Sequence, residues 1–462
     1  MRSAAAVSAA KIAASLTRRF RFGGGTALPG LIAERIDPDI VSELASKLGR
    51  GSVLVTGTNG KTTTARLLRN TLEAAGLRPV ANRAGSNMMR GIASALVESA
   101  TWSANLTSAQ QRIGVFEVDE ATLPEAAATV EPQLVLFTNL FRDQLDRYGE
   151  VEYVAQVWRE AVRHLSKDVT LVLNADDPSV ASLAQAAIGK VVFYGMKDTS
   201  SAVQALDHSA DARWCSSCGA ELAYDAVFYG HLGHWRCPTC GLNRPEADVR
   251  CTRLQSEAEA LALTIRFPSG EVKVSLRLTG LYNAYNSLAA AATAMALGID
   301  EDAMAKGMQS STAAFGRQER MQIAGRDVQV ILAKNPAGLN QVLRTITANG
   351  SQKDVALFLN DNIADGRDIS WIWDVDFELL SAATRSATVS GSRAWDMALR
   401  LKYAGLESVS HVETDSAQAL RNALNQTPDG ETLYVIPTYT AMLEVRDLLA
   451  RWAGGGAFWE EK

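Results

Sequence analysis

One passage constrains the fold more than any other, Val53-Leu54-Val55-Thr56-Gly57-Thr58-Asn59-Gly60-Lys61-Thr62-Thr63-Thr64. A short apolar run from Ser52 to Thr56 enters a loop with a glycine at each end. A helical pattern then opens at Lys61-Thr62 and continues to Ala75. Strand, glycine loop and helix in that order make a phosphate cradle. Backbone N–H groups close around phosphate oxygens, and the helix N-terminus favours negative charge. Lys61 is placed to neutralise β- and γ-phosphate charge, and the Thr62 hydroxyl to ligate Mg²⁺. The strict loop pattern has glycine at position 55, where this chain has Val55. A plain glycine-containing turn is the alternative.

Further apolar runs follow at Ile113–Val118, Leu134–Thr138, Val169–Leu173 and Val191–Tyr194, with a helical pattern at Glu152–Leu165. Buried strands alternating with helices predict a largely parallel sheet covered on both faces. Asp37–Leu48 reads as a helix, with Pro38 near its start and Gly49 past its end. Ahead of it, the Ala-rich Met1–Ala14 reads as a short surface helix before Gly23-Gly24-Gly25. Its apolar stretch is too short and weak for a secretory leader. With Arg18, Arg19 and Arg21 it has a second reading, a basic segment touching anionic lipid.

From Ser200 to Arg250 cysteines, glycines and aromatics interrupt the alternation, which marks an insertion. Strands at Ala258–Phe267 and Val272–Leu278 follow, paired about Pro268-Ser269-Gly270, and then an Ala-rich helix at Asn283–Ala296. After about Gly325 the alternation restarts. Strands at Val328–Leu332, Val355–Leu359, Ala387–Ser390 and Leu433–Ile436 are separated by helices at Leu339–Ala348, Ala394–Tyr403 and Ala417–Leu424. This second α/β domain has a Rossmann-like layout, as expected of a 462-residue chain too long for one core. The net charge of −5, without a long basic run, argues against a dedicated nucleic-acid binder. No apolar run reaches the length of roughly 18 residues that a membrane helix needs.

Four of the five cysteines form two pairs, Cys215-Ser-Ser-Cys218 and Cys237-Pro-Thr-Cys240; Cys251 stands apart. Two such knuckles present four thiolates tetrahedrally to Zn²⁺, and a full set of protein ligands makes the site structural. Gly219 and Gly241 follow the pairs and permit tight turns. His231 and His234, between the pairs, read as surface or packing residues. A redox dithiol is the alternative for the cysteines, and the chain's cysteine usage fits a reducing, cytoplasmic compartment.

The loop Thr56–Thr63 resembles the signature of the Mur ligase superfamily, and other segments match that family in order. Glu117-Val-Asp-Glu120 follows a strand, where the family has a Mg²⁺-binding glutamate. Thr138-Asn-Leu-Phe-Arg-Asp-Gln-Leu-Asp146 is similar to T-N-x-x-x-D-H-x-D, and Asn174-Ala-Asp-Asp-Pro178 to N-A-D-D-P. Leu281-Tyr-Asn-Ala-Tyr-Asn286 resembles the stretch whose asparagines, here Asn283 and Asn286, approach adenine. Phe315-Gly-Arg-Gln-Glu319 resembles the linker whose arginine, here Arg317, faces nucleotide. The resemblance implies ATP bound by Gly57, Thr58, Asn59, Gly60, Lys61, Thr62 and Thr63, with Mg²⁺ on Thr62 and Glu117. Lys61, Mg²⁺ and Arg317 would offset the repulsion when a substrate carboxylate attacks the γ-phosphate. On the residues alone, Glu117 could be a strand-end carboxylate without metal, Asp119 and Glu120 solvated charges, and Arg317 a surface ion-pair partner.

Three departures narrow the resemblance. The phosphate-loop strand starts at Ser52, leaving no room before it for a domain that holds UDP. Gln144 stands where the family has a metal-facing His, and no lysine lies between Arg147 and Ser166, where many relatives carry a carbamylated one. Leu332-Ala-Lys-Asn-Pro336 replaces D-Y-A-H-x-P, as suits a nucleophile other than an amino acid. These features resemble the MurT-type branch, as do Asp361-Asn-Ile-Ala-Asp-Gly-Arg-Asp-Ile-Ser-Trp-Ile-Trp-Asp374 and Tyr434-Val-Ile-Pro-Thr-Tyr-Thr-Ala-Met-Leu443.

That branch implies amidation of the α-carboxylate of D-glutamate in the lipid II stem peptide, through an acyl phosphate attacked by ammonia. It also implies a heterodimer with a GatD-type class I glutaminase, since this chain has no cysteine in a nucleophile turn. Asp368 would orient the partner's Cys–His pair, with Asp365 and Asp374 as weaker candidates. Capping of a turn is the plain alternative for Asp368. Trp371 and Trp373 read equally as interface anchors or core.

The expected architecture is an N-terminal segment, 1–50, and a P-loop Mur ligase central domain, 51–320, with a zinc-ribbon insertion at 205–250. A C-terminal Rossmann-like α/β domain, 321–462, completes it. The expected location is cytoplasmic, with at most peripheral contact at the inner membrane face. Competing functions are an amino-acid-adding ligase of the Mur or folylpolyglutamate type and a non-catalytic ATP- and zinc-binding module.

Overall fold

The computed structural model describes residues 2–19, 28–82, 86–143, 151–203, 205–207, 210–256, 260–311, 317–406 and 409–453. Expectations placed on Gln144, Asp146 and the side chain of Arg317 lie outside the described residues. The chain forms two compact units. One comprises Met1–Leu140, Val151–Gln204 and Ala212–Thr312; the other comprises Phe141–Glu150, Ala205–Asp211 and Ala313–Lys462.

The first unit begins with helices α1 (Arg2–Arg19), α2 (Leu28–Ile36) and α3 (Ile40–Ala45). Its sheet and helices then alternate as β1 (Ser52–Thr56), α4 (Lys61–Ala74), β2 (Arg78–Ala81), α5 (Met89–Ser99), β3 (Arg112–Glu117), α6 (Leu123–Val130), β4 (Leu134–Phe137), α7 (Val151–Arg163), β5 (Thr170–Asn174), α8 (Pro178–Ala181) and β6 (Val191–Met196). A hairpin, β7 (Ala223–Tyr229) and β8 (Leu232–Arg236), precedes β9 (Val249–Ser256), β10 (Leu261–Arg266), β11 (Glu271–Leu276), α9 (Leu281–Ala296) and α10 (Glu301–Gln309).

Nine strands make one sheet in the order β11-β10-β9-β6-β5-β4-β1-β3-β2. From β2 to β9 the neighbours run parallel, and β9, β10 and β11 pair antiparallel. The burial of the strands follows from that position. Every residue of β1 and β4, in the middle, is buried, whereas β10 and β11 alternate buried and exposed as strands with one wet face do. The alanines of α9, with Ala289–Ala292 at zero exposure, let that helix lie closely in the core.

The N-terminal segment departs from expectation. Helix α1 is longer than the Met1–Ala14 reading and is packed rather than superficial: Ala6, Val7 and Ala10 are fully buried. Lys11 donates to the carbonyls of Ala100 (2.5 Å) and Glu98 (3.3 Å), where the C-terminal end of α5 attracts a cation. Regular helix within Asp37–Leu48 is confined to α3, with turns on both sides. Among the described residues no helix is long and apolar enough to cross a membrane.

The second unit holds β12 (Arg317–Ile323), β13 (Arg326–Ile331), α11 (Pro336–Thr347), β14 (Lys353–Phe358), β15 (Thr384–Ser390), α12 (Ala394–Tyr403), β16 (Val409–Val412), α13 (Ser416–Gln426), β17 (Thr432–Pro437) and α14 (Tyr439–Trp452). Its sheet order is β12-β13-β17-β14-β15-β16, parallel except for the β12–β13 pair. One core, around Leu343, Leu357 and Phe377, and another, around Val328, Val435 and Val445, make this a second α/β unit.

Candidate active site

The phosphate loop runs from the end of β1 into α4, and two of its glycines are set by what stands over them. A Cβ on Gly57 (φ 134°) would lie 2.0 Å from the Thr138 hydroxyl oxygen, and one on Gly60 (φ 88°) 2.1 Å from Asn286 Oδ1. Only glycine fits such close approach at a left-handed φ. The loop is held from beneath by the strand beside it. Asn59 N–H donates to Asn139 Oδ1 (2.9 Å), Thr58 N–H to Asn139 O (2.9 Å) and the Thr138 hydroxyl to Asn59 O (2.8 Å).

Thr62, in the first turn of α4, donates its hydroxyl to Glu117 Oε2 at 2.8 Å. Glu117 ends β3, paired in register with β1, so the fold delivers hydroxyl and carboxylate to one point. Asn82, just past β2, fixes the backbone there: it accepts the Glu117 N–H (2.9 Å) and donates to the Glu117 carbonyl (2.9 Å). Two adjacent hard oxygens suit Mg²⁺, which keeps most of its water and takes few protein ligands.

Lys61 is buried, with its Nζ bonded to the Gly57 carbonyl and 3.1 Å from Glu120 Oε2. Asp119 and Glu120 are both nearly inaccessible, which corrects the reading of them as solvated charges. Trp158 fixes the Glu120 backbone, donating to its carbonyl at 3.1 Å. Thr63 is also buried beside the loop.

Asn283 and Asn286 lie one turn apart on α9. Asn286 donates to Asn283 Oδ1 (3.1 Å) and accepts from the Thr64 hydroxyl (3.3 Å), so α9 touches the phosphate-loop helix through the Asn286 amide.

In the second unit, Asp368 accepts the Ser370 N–H at 2.8 Å and so caps the turn that opens Ser370–Asp374. Asp365 is buried and takes the Thr440 N–H (2.7 Å), tying this loop to the start of α14. Asp374 pairs with Arg142 (3.0 Å). Trp371 packs against the core, while Trp373 is half exposed and meets Tyr403 edge-on at 5.6 Å.

The sulfurs of Cys215, Cys218, Cys237 and Cys240 all lie within 4.8 Å of one another, with Cys215–Cys240 at 3.6 Å and Cys218–Cys237 at 3.5 Å. Tetrahedral Zn–S bonds of 2.3 Å demand sulfur separations of about 3.8 Å, so the quartet fits a zinc ion. The Cys240 N–H directed at the Cys237 sulfur holds that thiol down, to about 6. His231 is fully buried, 3.4 Å from Asp177, and His234 bonds the Met196 carbonyl (2.8 Å); neither joins the quartet.

Sequence reading singled out no role for Asn82, Asn139, Asp176, Arg244 or Tyr285. Asp176 is fully buried and takes three donors: Arg244 Nε (2.5 Å), the Met196 N–H (2.8 Å) and the Tyr285 hydroxyl (2.6 Å). Its place in the Asn174–Pro178 turn was the available signal. Nothing in the sequence marked Asn82.

Fold and site together define a Mur-type ligase. The Mur ligase middle domain matches residues 55–233. The structure resembles MurF from Acinetobacter baumannii with a TM-score of 0.66, over 91% of this chain and 80% of that one at 18% identity. The second unit narrows the class, because the MurT ligase C-terminal family matches residues 332–442. The lipid II isoglutaminyl synthase (glutamine-hydrolyzing) subunit MurT of Staphylococcus aureus (strain COL) is 36% identical over 99% of this chain and 100% of its own length. Its Streptococcus pneumoniae (strain ATCC BAA-255 / R6) counterpart is 34% identical, covering 93% of each. The chain belongs to the MurT family of Mur ligases.

Proposed function

We propose that this chain is the ATP-dependent synthetase subunit of a lipid II isoglutaminyl synthase. The observation that carries the reading is the Thr62–Glu117 oxygen pair at the mouth of the phosphate loop, in a chain matched end to end by MurT subunits. The α-carboxylate of D-glutamate in the stem peptide attacks the γ-phosphorus of ATP, ADP leaves, and an acyl phosphate forms. Ammonia then attacks the acyl carbon, phosphate departs, and one proton is lost, leaving D-isoglutamine.

The loop from Gly57 to Thr63 binds phosphates, and Lys61 balances the charge that gathers on the transferred group. Thr62 and Glu117 hold Mg²⁺, which when bound offsets the repulsion between carboxylate and phosphate. Asn283 and Asn286 are assigned to the adenine, and Arg317 to the nucleotide, on the strength of the family motif alone. The four cysteines hold Zn²⁺ as a structural ion. Residues 51–320 form the ATP-binding domain, with the insertion at 205–250, and residues 321–462 meet a GatD-type glutaminase. There Asp368 orients the partner's catalytic histidine, using the carboxylate oxygen not engaged by Ser370. ATP use and a four-thiolate site support a cytoplasmic location.

Mass spectrometry of lipid II incubated with the chain, ATP, Mg²⁺ and ammonium tests the reading. A change from carboxylate to carboxamide is expected without a partner. An unchanged mass, even with a glutaminase subunit and glutamine present, would overturn it.

A further inference from the structure

The buried carboxylate of Asp176 joins two regions that the reaction scheme treats separately. On one side is the insertion: Arg244, just beyond the second cysteine pair, donates Nε to Asp176 Oδ1 (2.5 Å) and Nη2 to the Met196 carbonyl (3.0 Å). On the other is α9, whose Tyr285 donates its hydroxyl to Asp176 Oδ2 (2.6 Å). The Tyr285 ring also lies edge-on to Tyr229 (5.6 Å) and Phe228 (6.2 Å) of the hairpin. The hairpin is bonded to the same turn twice more, through Trp235 Nε1 to the Ala175 carbonyl (3.0 Å) and the Gly233 N–H to the Asp176 carbonyl (2.9 Å). Gly195 leaves the space this meeting needs, since a Cβ there would lie 2.6 Å from Arg244 Nη2 and 2.8 Å from Asp176 Oδ1.

Tyr285 is flanked on its own helix by Asn283 and Asn286; Asn286 reaches the phosphate-loop helix at Thr64 and is itself bonded to Asn283. A shift of α9 therefore moves those amides and closes or opens the space over Gly60. We propose that the Arg244–Asp176–Tyr285 chain lets the cysteine-bearing insertion set the seat of α9, making Tyr285 a positioning residue for nucleotide binding. The inference rests on the nucleotide-site reading above and extends it, for the Tyr285 hydroxyl is directed at Asp176. Phosphoryl transfer depends on Lys61, Thr62 and Glu117, which stand on other elements, so the chain acts on affinity rather than on turnover.

The test is calorimetric titration of the full-length chain with MgADP, with kcat and KM for ATP measured beside it. Tyr285→Phe removes one hydroxyl and keeps the ring; Asp176 retains Arg244 and the Met196 N–H, so the fold has little to lose. The MgADP Kd and the KM for ATP are expected to rise about three- to tenfold, the share of one charge-assisted hydrogen bond felt at the site, with kcat within about twofold. Arg244→Lys, which keeps the charge and loses the second contact, is expected to move Kd in the same direction with zinc content unchanged. Arg236→Ala, at an exposed ion pair on the same hairpin, is expected to leave Kd alone. A lower melting temperature with unchanged Kd in Tyr285→Phe and Arg244→Lys would overturn the inference, as would a parallel fall in kcat. A wild-type chain that binds no MgADP would overturn the nucleotide-site reading and this inference with it.

Discussion

Gly60 and Gly76 both adopt a left-handed φ, of 88° and 80°, yet their surroundings differ. Nothing lies within 4 Å of a Cβ built on Gly76, while one on Gly60 runs into Asn286. Gly76→Ala is expected to cost only the backbone strain, about 1–2 kcal/mol, with nucleotide affinity intact. Gly60→Ala adds the collision and is expected to weaken MgADP binding more than about tenfold. Melting temperature and calorimetric Kd, measured on both, separate the two effects. At Glu117 the expected change is in chemistry rather than fold: Glu117→Gln keeps the shape and a hydrogen-bond acceptor for Thr62 but loses the charge. Lipid II amidation is expected to fall at least about a hundredfold at an unchanged melting temperature. Lys61, Thr62 and Glu117 were legible as candidates because their residue types sit at fixed offsets from a strand and a glycine loop. Glu120 was not, because its pairing with Lys61 depends on burial, and a charged side chain after a strand looks the same in sequence whether wet or dry.

The strands β1, β3, β4 and β5 and the helix α4 were readable to within about a residue, since fully apolar strands such as β1 and β4 stand out, whereas β2, α5 and α6 were not read. The elements that escaped notice carry mixed signals. β9 holds Arg250, Thr252 and Arg253 among its apolar residues because it is buried in part along its length. α2 contains Pro29 and Gly30, which argue against a helix, but Gly30 is needed where a Cβ would lie 2.1 Å from the Arg90 carbonyl. The hairpin β7–β8 is a two-stranded sheet, a form that is marginal by itself, and the cysteine quartet lies at its base. Chelation of zinc is therefore expected to lower the melting temperature by several degrees and to shift the emission of Trp235, which is buried against Cys215 and Cys237, to the red. Unchanged emission after complete metal removal would show that packing alone holds the hairpin.

For the whole molecule, the restart of strand–helix alternation after about Gly325 anticipated the second α/β sheet, but nothing in the segment order showed that Phe141–Glu150 and Ala205–Asp211 belong to the second unit. Asp368 supplies the sharpest test at this scale. In complex with the proposed glutaminase partner, Asp368→Asn keeps the acceptor for the Ser370 N–H and loses the charge. Glutamine-dependent amidation is expected to drop about a hundredfold or more, and ammonium-dependent amidation to persist. Equal loss with both nitrogen sources would assign Asp368 to the turn alone.

β6 and β9 are parallel neighbours, so the chain that leaves one end of β6 must travel back along the sheet before β9 can begin. In an α/β sheet that return is ordinarily an α-helical crossover, and here the cysteine-bearing segment occupies its place. The segment is thus a span in the middle of the sheet rather than an ornament on its surface. Excising it and rejoining Met196 to Val249 through a tight turn would strand three edge strands on the wrong side of a polarity reversal. A graft that respects the topology must instead bring a return path of a dozen residues or more, and must also supply a donor to Asp176 in place of Arg244.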